Sequence, residues 1–486
     1  MGNDTPTNPT GSTGAANRLL LSENEILEDM LGLHADKNEF SDAEYDDDIK
    51  LLLSDVQANI LKSNKHVFTL YCFLTFKEGK KQEIAAWLES IPLTSAQEQI
   101  DQGVEDQEVN SNAISLLLSY NGFQYFCCPR DFVLLFPERD DNSTAFKEGL
   151  RERCPKAFGG GNIRFVEDSF EKPLDALILI ATNDNDEKIK SLINEPNDNQ
   201  QIGLRSLFTE NTGLEESKSE DFFESCHIEI GMRNPEGTNE KPRDWFGFND
   251  GISNPLFFPS EKPGYSPAQP AELGTILRRN PYSQKYGCGS YAVFLKLEQN
   301  QEAFSDLASR YATKMKIGVE LAAAHMIGRR KDGTPLHSSY KYPGNAKKDL
   351  NDFDFSNDED GAVCPLNAHI RKANPRDLKQ NRITRRGKIY GTPNSPKKGI
   401  LFLSYQRDLM DFEDIINRGL TASNYDGKTT GKDWLFYETD ELGKIFGYFS
   451  ADNTPKPVQF RGGQYFFSPA ISFVKGNLRN FSEAES

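Results

Sequence analysis

At 486 residues the chain is long enough for two or three domains, each able to bury its own core. Hydrophobic residues make up 37% and charged ones 27%, and no run approaches the roughly 18 consecutive apolar residues of a membrane span. A formal net charge of -17 has the wrong sign for a sequence-independent grip on nucleic acid and favours neutral or cationic small partners.

Residues 1–17 are rich in Gly, Thr, Asn and Pro, a composition that cannot bury enough apolar area to offset ordering, so mobility is expected there. Met1-Gly2-Asn3-Asp4 opens neither a basic segment followed by an apolar core nor a twin-arginine signal, and the expected location is cytoplasmic. Residues 22–50 are acidic, yet Ile26, Leu27, Met30, Leu31 and Leu33 fit one face of a short amphipathic helix, read as docking on the protein's own surface rather than recruiting a partner. Folded structure is expected to begin at Leu53. Residues 66–76 read as a strand and 81–88 as a helix, followed by strand-like runs at 132–136, 176–181 and 226–231. The order then recurs, with a strand at 289–297, a helix at 302–315 and a buried strand at 399–405. This is an α+β pattern with mainly antiparallel pairing and two similar halves. The seven cysteines are scattered without a CxxC pair or metal-like spacing, so reduced thiols are expected.

Three segments stand out. The first is Gly247-Phe248-Asn249-Asp250-Gly251-Ile252-Ser253-Asn254-Pro255, in which an isolated Asp-Gly would mark only a turn. The second is Cys364-Pro365-Leu366-Asn367-Ala368-His369-Ile370-Arg371-Lys372-Ala373-Asn374-Pro375-Arg376, which carries one of only six histidines. The third, Arg385-Arg386-Gly387-Lys388-Ile389-Tyr390-Gly391, would by itself be an exposed basic cluster. Together, and in this order, they resemble the GxxDG signature, the proximal-histidine segment and the distal-arginine segment of the dye-decolorising peroxidases. Gly328, Arg329, Gly333 and Pro335 match a further GRxxxGxP stretch of that family. The resemblance covers roughly residues 53–475 and is closer to the larger members (class V, or C/D-type) than to the compact ones.

The resemblance implies two ferredoxin-like domains with antiparallel sheets, at 51–250 and 251–486 after a leader at 1–50, with one haem b held mainly by the second. It implies His369 as the iron's proximal ligand. Such an imidazole needs its other nitrogen held by a carboxylate, and Asp433 resembles the family's partner position, with Asp408 as the alternative. Asp250 would lie over the distal face and move a proton between the two oxygens of peroxide. Arg385 would stabilise the charge that builds on the departing oxygen. Arg386 is the alternative, but the family's arginine stands two residues before the glycine. Ile400 and Phe402 share a face of a pocket-lining strand, and Arg371 would pair with a haem propionate. The expected activity is reduction of hydrogen peroxide with one-electron oxidation of phenols, anthraquinone or azo dyes by a monomer or homodimer. A carboxylate relay implies activity at acid pH, because carboxyls titrate near 4 and imidazoles near 6.5. Haem delivery with incidental peroxidase activity is the alternative; a chlorite dismutase type is disfavoured by the GxxDG aspartate. The acidic, aromatic insertion at 347–361 receives no role.

Overall fold

A computed structural model describes residues 23–32, 46–102, 112–127, 135–136, 140–157, 167, 170, 172–183, 186–193, 195, 197–238, 240–250, 252, 254–258, 271–337, 350–351, 353–376, 382–420, 430–436 and 456–483. Residues 1–17, Leu33, most of the 132–136 run and part of 347–361 lie outside them. Leu135 and Phe136 are buried but belong to no strand.

The first half contains β1 (Phe68–Phe76), β2 (Ala113–Leu118), β3 (Ala176–Thr182) and β4 (Phe223–Met232), paired in the order β2-β3-β1-β4. The second half contains β5 (Arg278–Arg279), β6 (Cys288–Gln299), β7 (Thr384–Arg385), β8 (Lys388–Tyr390), β9 (Gly399–Gln406) and β10 (Val458–Ser468). Its long strands follow the same logic, β10-β6-β9-β8. In each half a helix follows the first strand and another precedes the last. This is the ferredoxin-like βαββαβ arrangement, and all pairings are antiparallel. The β2 strand escapes sequence reasoning because Ala-Ile-Ser-Leu-Leu-Leu is a short run without clean alternation. β10 escapes it because Gly462 and Gly463 interrupt the pattern beside a register shift.

The halves join edge to edge. β10 meets β2 through Phe467 and Leu118, and β4 meets β8 through Met232 and Ile389. With the β6–β9 pairing, eight strands close a ring. Since each seam is a single residue pair, side chains carry the union: Tyr71 and Phe73 from β1 lie 5.9 and 4.7 Å, ring to ring, from Phe294 of β6 inside the ring. Leu401, Leu403 and Tyr405 join this inner cluster, whereas the alternate residues Ile400 and Phe402 face the helix layer with the other core cluster. The functional cavity lies on that outer side of the second half.

Helix α1 (Glu23–Met30) buries Ile26, Leu27 and Met30, and Leu31 just beyond it, against Leu273, Ile276 and Leu277. The amide of Gly274 donates to the Leu31 carbonyl at 2.8 Å. This helix of the acidic leader therefore docks on its own protein, as its apolar face suggested. Helices α2 (Lys81–Ser90) and α3 (Asn197–Thr212) cover the first half; α4 (Gln301–Met315), α5 (Val319–Ile327), the short α6 (His369–Ala373) and α7 (Leu409–Leu420) serve the second. We propose the division of the halves near residue 250, inside the connection from β4 to β5.

Candidate active site

His369 opens α6, a helix too short to stabilise itself. Its neighbours hold it. Gly328 ends α5 at φ 93°, and a Cβ there would meet Ile370 at 2.4 Å, so glycine permits both the left-handed turn and the close approach of α6. The His369 Nδ1 lies 2.7 Å from the Asp433 Oδ2. Asp433 is buried, and its other oxygen accepts from the Leu435 amide at 3.0 Å. A carboxylate can only accept, which assigns the ring proton to Nδ1 and leaves the Nε2 lone pair for the cavity that His369 lines. Asp408, the alternative partner, instead accepts from Asn142 and pairs with Arg278.

Across the same cavity, the Arg385 Nη1 stands 3.3 Å from the Asp250 Oδ1. Their backbones are fixed by reciprocal contacts with Asn254: the Arg385 amide donates to its Oδ1 at 2.9 Å and its Nδ2 to the Arg385 carbonyl at 3.1 Å. The Asp250 amide donates to the Pro242 carbonyl, and Gly247 takes φ 89° at the turn between them. Asp244 latches that turn, accepting from the Phe248 amide at 2.8 Å and from Gln299 at 3.1 Å. Burial pushes its carboxyl up to about 6, the hydrogen bonds oppose that, and the Asp250 charge adds to it. Sequence reasoning missed Asp244 and Asn254, although Asn254 lies within the GxxDG segment.

The adjacent arginines divide. Arg386 points away from the cavity and donates to the carbonyls of Asn59, Ile60 and Leu61. Arg385 alone of the two lines the cavity.

The cavity measures about 610 Å³, within the roughly 300–1,000 Å³ range of cofactor-sized sites. Ile400 and Phe402 line it as alternation required, with Leu295, Leu297, Phe412 and Phe460. Arg329, Arg376 and Arg382 contribute positive charge to the wall. Arg371 does not reach it, and the propionate role expected for that residue is corrected. Its guanidinium is committed to Asp358 at 3.0 Å and to the Cys364 carbonyl at 2.8 Å. His325 is also elsewhere, 3.2 Å from the Tyr311 hydroxyl, with its pKa lowered by burial.

These walls and pairs fit a flat, largely apolar, dianionic macrocycle with a single imidazole ligand. The comparisons with known proteins agree. The family model for the C-terminal part of Dyp-type peroxidases matches residues 241–430. A multifunctional dye peroxidase, DyP2, from Amycolatopsis sp. is 30% identical over 295 residues, 51% of this chain and 62% of that one. A dye-decolorizing peroxidase from Auricularia auricula-judae is 28% identical over 292 residues, 49% of this chain and 57% of that one. The matched regions thus span about three fifths of these curated relatives. A solved DyP-type peroxidase from Anabaena sp. superposes with a TM-score of 0.69 at 28% identity, over 89% of this chain and 96% of the other. A deferrochelatase from Yersinia pestis is 36% identical, but over only 91 residues, 17% of this chain and 19% of that one. Motifs, fold and comparisons converge in indicating a DyP-type peroxidase.

Proposed function

We propose that the protein is a haem-dependent peroxidase that reduces hydrogen peroxide and oxidises bulky aromatic donors, phenols and anthraquinone or azo dyes, by one-electron steps. The observation that carries this reading is one cavity walled by both a carboxylate-held imidazole and a carboxylate–guanidinium pair. A dye-decolorizing peroxidase of the same fold, 20% identical, has been solved in complex with 2,6-dimethoxyphenol, a phenol.

His369 would ligate the iron of haem b through Nε2, one haem per chain, in a cavity whose wall carries the positive charge of Arg329, Arg376 and Arg382. When bound, haem supplies the redox centre that takes two oxidising equivalents from peroxide and passes them on singly. Asp433 keeps the ring of His369 oriented and electron-rich by accepting from Nδ1. The Asp250 carboxylate takes a proton from the inner oxygen of hydrogen peroxide and returns it to the outer one, which leaves as water. Arg385 stabilises the negative charge on that departing oxygen without having to reorganise. Ile400 and Phe402 exclude water from the reacting side. Two donor molecules each lose one electron to complete the cycle. The oligomeric state consistent with this reading is a monomer or homodimer.

The test is reconstitution with haem, a Soret spectrum, and stopped-flow mixing with one equivalent of hydrogen peroxide for wild type, His369→Ala and Arg385→Ala. Expected are a rapid Soret change in wild type, lost haem binding in the first variant and a slowed change in the second. Bound haem that hardly reacts with peroxide, but transfers readily to an apo-acceptor, would move the assignment to haem delivery.

A further inference from the structure

Arg371 lies two residues from His369, is mostly covered, and does not line the cavity but turns toward a segment to which the sequence alone assigned no role. Its side chain is 10% exposed and that of its partner Asp358 only 2%. The Asp358 carboxylate gathers three donors. It accepts from the amides of Val363 and Cys364, each at 2.9 Å, and from the Arg371 Nη1 at 3.0 Å. The other end of the guanidinium donates to the Asp358 carbonyl at 2.6 Å, and its plane lies 4.5 Å over the Phe355 ring. Phe355 in turn packs with Leu336, Cys364 and Ala368 in a small core of its own.

Five residues cannot hold a helix in place without outside contacts. Around α6, the Asp433 carboxylate restrains His369 from one side, and the Lys372 Nζ donates to the Thr430 hydroxyl at 2.8 Å. A further restraint is the Arg371–Asp358 fork. It joins α6 to both ends of the 358–364 loop, because Arg371 binds the Asp358 and Cys364 carbonyls as well as the carboxylate. A planar guanidinium engaged at several fixed points resists rotation in a way that a point charge does not.

We propose that Arg371 and Asp358 are positioning residues for the iron ligand: the 358–364 loop acts as a buttress that fixes the rotation of α6, and with it the direction in which His369 presents Nε2. The pair touches neither haem nor peroxide. Its removal lets α6 turn, weakens the Nε2–iron bond and raises haem loss. The inference rests on the haem-ligand reading of His369.

The experiment compares wild type, Arg371→Met, Arg371→Lys, Asp358→Asn and the Arg371→Met/Asp358→Asn double variant. Haem loss is followed by transfer to excess apomyoglobin, and the ferric/ferrous midpoint potential is measured on each holoprotein. The removal of supporting residues around a metal ligand weakens binding by about ten- to a hundredfold. Arg371→Met and the double variant should therefore lose haem at least about tenfold faster, with a shifted potential, and Arg371→Lys should fall between them and wild type. Haem loss within twofold of wild type and an unchanged potential in the double variant, even with a lower melting temperature, would overturn the proposal. Should Arg371→Met not fold, Arg371→Lys decides, since it keeps the charge and loses only the fork. A wild type that binds no haem would sink the ligand reading instead. Amide hydrogen exchange at residues 369–373 of the apoprotein would then judge the buttress, faster exchange in Arg371→Lys supporting it and unchanged exchange overturning it.

Discussion

Replacing Asp250 by Asn separates catalysis from stability. The ion pair with Arg385 has a 3.3 Å contact, but the two side chains are 39% and 32% exposed. Solvent screens a pair that open, and its contribution to folding is at most about 1 kcal/mol. The amide is nearly isosteric and its carbonyl can still accept from Arg385, so even this small loss is partly compensated. The proton relay is a different matter, because an amide neither takes nor returns a proton. Positioned acid–base groups contribute about 10²–10⁴ in rate, equivalent to roughly 3–5 kcal/mol of barrier. Asp250→Asn should therefore slow the bimolecular reaction with hydrogen peroxide by two to four orders of magnitude and shift the melting temperature by no more than a few degrees. The assay is the Soret change in a stopped-flow cell as a function of peroxide concentration, with circular dichroism melting on the same preparation. A second-order constant within about threefold of wild type would refute the assignment, since the proton would then be carried by another group. Asp244 would be the first to examine, as it lines the same cavity and already feels the charge of Asp250.

The adjacent arginines should behave oppositely. Arg385→Ala should leave melting nearly unchanged and slow peroxide reduction about 10²-fold or more. Arg386→Ala removes the donor to the carbonyls of Asn59 and Leu61 and one of the two donors to that of Ile60, which keeps the Thr384 hydroxyl, and should cost several kcal/mol in denaturant titration; the reverse pattern would show the assignment to be inverted. Asp433→Asn should weaken haem binding by about ten- to a hundredfold in a Soret titration, and unaltered affinity with an unaltered midpoint potential would deny its role as the partner of His369. Asp244 gives a pH test. Its folded pKa of about 6 lies above the ordinary carboxyl value, so the folded state favours the protonated form. Stability from this group is fully present below about pH 4 and is lost as pH rises toward 6, by at most about 3 kcal/mol. Asp244→Asn should therefore gain on wild type in melting temperature between pH 4 and pH 7.5; a difference that is flat with pH would contradict the raised pKa.

Local chemistry was legible in the chain itself. The strands at 176–181 and 399–405 follow from short, mainly apolar runs and that at 226–231 from alternation of Ile228 and Ile230 with His227 and Glu229, all properties of the segment. The alternation of Ile400 and Phe402 with Leu401 and Leu403 was decided by the two-residue period of a strand, and the structure has the first pair at the cavity and the second inside the ring. The docked face of α1 likewise follows from the spacing of Ile26, Leu27 and Met30. What the sequence could not decide was how polar side chains choose among partners far away in the chain. Arg371 was read as a propionate partner because a guanidinium suits a carboxylate, and only the folded loop brought the Asp358 carboxylate within 3.0 Å of it. Asp408 and Asp433 were both available to His369, until the fold placed one 2.7 Å from Nδ1 and gave the other to Asn142 and Arg278. Closure of the ring was hidden for the same reason, since β2–β10 and β4–β8 each unite residues more than a hundred positions apart through a single pair. Hydrophobic periodicity acts within one element and is written locally; the partner of a charge, or of a strand edge, is set by the whole chain's packing, and so it appears only in the tertiary structure.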